Sequence, residues 1–172
     1  MSYSTTDQLD DTDFMKGKLP SGLNVLTILS YIGCAIQLIG TGYGYISAAK
    51  SYNDLDKNMA AMTNPDAPAF VKGMIGDPQT FREIVTKSYE NRLPIMLVGL
   101  VATILCFVGV MQMRKLQKSG YMFYVIGELL PILSTLLFIG AFAFTGSMMW
   151  FGIGIAVLFI ILYTMQRKHL IY

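Results

Sequence analysis

Four stretches of this chain are long, apolar and almost free of charge: residues 21–46, 93–113, 121–144 and 148–166. Between them they carry one ionisable acid or base, Glu128. At ~1.5 Å per residue, some 20 residues of helix cross the ~30 Å hydrocarbon layer of a bilayer, and each run is of that order. In lipid every backbone amide and carbonyl must bond within the segment, so runs of this length and composition become helices. The expected fold class is therefore an all-α membrane protein. It has four transmembrane helices, with a helical extracytoplasmic hairpin between helices 1 and 2.

Charged residues make up 14% of the chain, against ~25% in an ordinary soluble domain. Apart from Glu128 they are confined to the segments that flank the apolar runs. The net charge of +2 and the lack of a basic stripe argue against nucleic acid as a partner. Cys34 and Cys106 both lie inside apolar runs, so no disulfide framework is expected outside the membrane.

Residues 1–20 carry Asp7, Asp10, Asp11 and Asp13 among Ser and Thr and read as a disordered cytoplasmic tail. The first run, 21–46, is too long for a signal-peptide core and reads as a retained membrane helix. Within it Gly33, Gly40 and Gly44 form a stripe of small residues suited to close helix packing, inside this chain or against another copy.

Residues 47–92 form the one large segment outside the apolar runs, with six basic and six acidic residues. Ile46, Ala49, Tyr52, Leu55, Met59 and Met62 recur at helical spacing, so the first helix is expected to continue beyond the bilayer as an amphipathic one. Asn64–Pro65–Asp66–Ala67–Pro68 breaks it, and Asp77–Pro78 has the form of a helix start. Tyr52, Phe70, Phe81 and Tyr89 either offer a partner surface or fill the small core of the hairpin.

Lys16 and Lys18, Arg114, Lys115 and Lys118, and Arg167 and Lys168 would share one side of the membrane. The connection between runs three and four has no charge. The positive-inside rule then places both termini, including the tail 167–172, in the cytoplasm and residues 47–92 outside. Trp150 and Tyr163 stand near the two ends of the fourth run, where interfacial aromatics would sit.

The segments Gly22–Leu23–Asn24–Val25–Leu26–Thr27–Ile28, Met113–Arg114–Lys115–Leu116–Gln117–Lys118–Ser119–Gly120, Ile126–Gly127–Glu128–Leu129–Leu130–Pro131 and Phe159–Ile160–Ile161–Leu162–Tyr163, in that order, resemble a group of small four-helix membrane proteins of bacteria of the Bacteroidota type. The resemblance covers residues 21–170. It implies a bacterial inner (cytoplasmic) membrane location but carries over no activity and no site.

Glu128 is the chemical anomaly. An ionised carboxylate in a membrane helix costs ~2.5–3.5 kcal/mol on insertion scales, so it is paired, neutral or in contact with water. Counted inward from the basic ends it lies ~10 Å deep. At that depth the first helix offers Thr27, Ser30 and Tyr31, and the second offers Thr103 and Cys106; the fourth offers only Leu158 and Phe159. Gln37 lies further out and would need a tilted helix to reach. No Lys or Arg is level with the acid, so hydrogen bonds to a neutral carboxyl are expected. Pro131 frees the Gly127 carbonyl beside it.

One reading makes Glu128 a hydrogen-bonded packing group. The others make it a proton or cation site, or the partner of a base on another subunit. The single histidine, His169, and the solitary cysteines give no metal set, and no nucleophile–base pair or cofactor motif appears. The function expected is non-enzymatic: an accessory or scaffold subunit of a bacterial inner-membrane complex. Its partners would be the lipid bilayer and other membrane subunits, or further copies of itself. The alternative is a small oligomeric proton-coupled transporter or channel subunit that uses Glu128.

Overall fold

A computed structural model of the chain describes residues 19–63, 77–145 and 147–170. The predicted tail up to residue 18, residues 64–76 with the predicted break and Phe70, Gly146 and the last two residues of the tail 167–172 lie outside the described residues. Four helices are long and apolar enough to cross a membrane, and the protein is a multi-pass membrane protein.

Helix α1 runs over Ser21–Asn53 without a break, so the first span continues well past residue 46, as the periodicity predicts. After a one-residue turn at Asp54 it is followed by α2, Leu55–Thr63. Helix α3 covers Pro78–Glu90. The Asp77 carboxylate accepts from the amides of Gln79 (3.1 Å) and Thr80 (3.2 Å), and Pro78 takes the first helical position. Helix α4 is Arg92–Arg114, α5 is Ser119–Phe138 and α6 is Ser147–Gln166.

The third span is shorter than predicted. Ile139 and Gly140 both donate to the Thr135 carbonyl (3.0 Å each), and Gly140 adopts φ +115°, which ends the helix before a 3-10 turn over Ala141–Thr145. Pro131 does not end α5, which continues through it for two turns.

The helices pack unevenly. α4 and α5 lie together along their length, α1 packs on α4, and α6 touches α1 and α5 only locally. Three glycines set the α4–α5 distance. A Cβ on Gly120 would stand 2.5 Å from the Gly109 carbonyl, and one on Gly127 would stand 2.5 Å from Cys106 Sγ. Backbones can approach this closely only where side chains are absent.

The first helix behaves differently. A Cβ on Gly33, Gly40 or Gly44 would meet nothing within 4 Å, so this stripe does not pack within the chain.

Buried apolar residues gather toward one end of the bundle. Leu23, Met113, Leu116, Tyr163 and Leu170 belong to one cluster, which brings the start of α1, the α4–α5 turn and the end of α6 together. Most other large apolar side chains face outward, as with Ile39 (72% exposed) and Leu137 (77%), where lipid replaces protein.

At the opposite end α3 packs on the extension of α1. Leu55 and Val85 are buried, and Tyr52 stacks on Tyr89 with ring centroids 4.3 Å apart. Phe81 is half-buried. Asn91 Nδ2 donates to the carbonyls of Lys87 (3.0 Å) and Phe138 (3.2 Å), which ties the α3–α4 junction to the end of α5.

Candidate functional site

Glu128 is half-buried and faces a cavity of about 180 Å³ between α1, α5 and α6. Helical spacing explains its company. Tyr124 precedes it by one turn on α5, and the two side chains interact. Ser30, Cys34 and Gln37 lie on one face of α1 and close the cavity from that side. Ile155 and Phe159 of α6 close the other.

The inner part of this site is organised by a residue that the sequence reading placed elsewhere. Tyr163 is not an interfacial aromatic: it is 1% exposed, and its hydroxyl donates to Ser30 Oγ at 2.8 Å. Its ring lies 4.6 Å from that of Tyr124, tilted by 55°. Trp150, at the other end of α6, is 62% exposed, as an interfacial residue would be. The signal for Tyr163 in the sequence is a hydroxyl beside that of Thr164 near the end of a largely apolar run. Its position near the end of that run concealed which way it faced.

Of the residues predicted around Glu128, Ser30 is in the cavity wall and Pro131 lies one turn outward on the same helix. Tyr31 and Thr103 are not at the acid. Tyr31 packs against Phe107 at 5.3 Å under the Arg114 guanidinium. Thr103 donates to the Gly99 carbonyl of its own helix at 2.8 Å. Both line a separate apolar groove between α1 and α4. Thr27 likewise donates within its own helix, to the Asn24 carbonyl at 2.9 Å. The reason is rotational: a shared depth in the bilayer says nothing about which side of a helix a residue occupies.

Gln37, expected to reach only from a tilted helix, lines the Glu128 cavity. It also lines a second cavity of about 530 Å³ between α1, α4 and α5, together with Thr41, Ser134, Thr135 and Arg92. The two polar cavities therefore share one side chain. Neither Lys nor Arg lines the Glu128 cavity, so a neutral or hydrogen-bonded carboxyl suits it better than an ion pair within the chain.

Tyr52 and Tyr89, predicted as part of a partner surface or of the hairpin's own core, stack on each other, and Tyr52 stays 39% exposed. Among the described residues no group of His, Cys, Asp and Glu has the makings of a metal site. What the arrangement can do chemically is hold a proton on Glu128 beside Tyr124, with Gln37 as the next polar group outward. No family profile, curated protein or solved structure matches the chain.

Proposed function

We propose that the protein is a non-enzymatic accessory or scaffold subunit of a bacterial inner-membrane complex. Both termini are cytoplasmic and the segment 47–92 lies on the outer face. One observation carries this reading: the fourth span is held mainly toward its inner end, and among the described residues nothing covers its glycine face at Gly152 and Gly154. Tyr163 bonds Ser30, and the Tyr121 and Thr164 hydroxyls lie 2.8 Å apart, both near the end of α6. Further along α6, a Cβ on Gly152 or Gly154 would meet nothing within 4 Å, and Gly33 of α1 is equally open.

Small residues on an uncovered helix face are the usual seat of a second helix in lipid, where close backbone approach replaces the hydrophobic drive. Extraction in a gentle detergent is expected to bring down a stoichiometric membrane partner or a second copy. Gly152→Leu should release it without unfolding the chain. A monodisperse monomer from the wild type would sink this reading.

A second reading, that of a proton-coupled transporter or channel subunit, draws on the cavity at Glu128 and on Gln37 joining it to the outer one. Glu128→Gln keeps a hydrogen-bonding amide but cannot carry a proton. The expected result is an intact fold that has lost pH-driven flux in proteoliposomes, and equal flux in the two proteins would exclude Glu128 as the carrier.

A further inference from the structure

The larger cavity has features that neither reading of Glu128 uses. It lies between α1, α4 and α5 at the end where α3 packs. Arg92 stands in its wall with the guanidinium 5.1 Å from the Tyr45 ring centroid and 4.7 Å from that of Tyr89. No carboxylate of the described residues lies within 4.0 Å of it. A guanidinium stacked between aromatic rings keeps its donors free for a planar or tetrahedral anion.

Ser134 is in the same wall. It is 5% exposed, and its hydroxyl is buried with no hydrogen-bond partner. Its polar neighbours are satisfied: Thr41 donates to the Gln37 carbonyl at 2.8 Å, and Thr135 to the Pro131 carbonyl at 2.9 Å. A buried hydroxyl left without a partner is uncommon in native proteins and points to a group not supplied by the chain.

Gln37, Tyr45 and Ser88 add polar groups to the wall, and Ile36, Ile95, Met96 and Ile139 give it an apolar side. Gly40 and Gly44, which have no side chain and open space around them, also border the cavity. A bare anion would satisfy Arg92 and leave the apolar wall uncovered. An amphiphile satisfies both, and the volume falls in the ~300–1,000 Å³ range of small-molecule sites.

We propose that this cavity binds one anionic lipid, with its phosphate headgroup on Arg92 and Ser134 and an acyl chain along Ile36, Ile95 and Met96. The site shares no residue with α6, so it stands or falls independently of the accessory-subunit reading.

The test is native mass spectrometry of the full chain in detergent with added phosphatidylglycerol, phosphatidylcholine or inorganic phosphate. One phosphatidylglycerol should be retained in preference to phosphatidylcholine. Arg92→Gln should weaken that retention about five- to tenfold, and Arg92→Lys, which keeps the charge but not the stacked fork, should fall between the two. Arg114→Gln, at the other end of the bundle, should leave it unchanged.

Ser134→Ala should lower retention while the lipid-free protein keeps or raises its thermal midpoint, a combination that loss of fold does not produce. Equal retention by wild type and Arg92→Gln would overturn the proposal. So would equal retention of the two lipids. Displacement of phosphatidylglycerol by millimolar phosphate would show a site for a free anion and would overturn the lipid as its occupant.

Discussion

The α4–α5 contact and the attachment of α6 solve the same problem in opposite ways. Between α4 and α5 the glycines at 109, 120 and 127 let backbone meet backbone, and the two helices stay together over their length. Helix α6 has its own glycines, at 152 and 154, but these face open space; its hydrogen bonds to the other helices come from one buried phenol and one surface hydroxyl pair, with Phe159 packed beside them. A glycine in a membrane helix is therefore ambiguous. It marks close packing when a neighbour is present and an uncovered face when one is absent.

The contrast can be broken most severely at Tyr163. Tyr163→Ala removes the ring packed on Tyr124 as well as the bond to Ser30, and should cost ~3–5 kcal/mol by the scale of buried aromatic truncations. Unfolding in mixed micelles would measure it, with cysteine labelling at Gly154→Cys reporting whether α6 has come away. A loss under 1 kcal/mol would mean that α6 is held by something other than this ring.

Next comes the tight interface. Gly127→Ala drives a methyl group into Cys106 and the α4 backbone, and should cost ~1–3 kcal/mol. The matched change Gly152→Ala should be neutral or stabilising by up to ~1 kcal/mol, because its Cβ has free space and alanine favours the helix. Equal costs at the two positions would erase the distinction between the interfaces.

The smallest effect sharpens the account of α6. Tyr163→Phe keeps the ring and removes only the hydroxyl donated to Ser30. Hydrogen bonds between membrane helices average ~0.6 kcal/mol, so the loss should be near that value and well below that of the alanine variant. The same unfolding titration separates the two.

Much of this architecture was legible before any coordinates. The long α1, the Asp77 cap and the four spans follow from run length, periodicity and turn chemistry. The site was only half legible. Ser30 lines the Glu128 cavity, Pro131 lines the neighbouring one, and Tyr31 and Thr103 line the groove between α1 and α4. Gln37, which depth alone puts within reach only of a tilted helix, lines the cavity, and Tyr163, which its place near the end of the run marks as interfacial, is buried and bonds Ser30. Tyr52 and Tyr89 were given two meanings, and their mutual stacking favours the intramolecular one.

The division has a physical cause. The thickness of the hydrocarbon layer and the cost of charge inside it act along the chain. Four spans, their approximate ends and the oddity of one acid are therefore properties of the sequence itself. The side of each helix that turns inward is a different matter. In water the apolar stripe would reveal it, but lipid tails are as apolar as a protein core, and Ile39 in the bilayer looks the same in sequence as Leu23 in the bundle. Only the packed helices decided that Glu128 looks toward Gln37 and Tyr124. The same packing left Ser134 buried with its hydroxyl unanswered beside the cavity of Arg92.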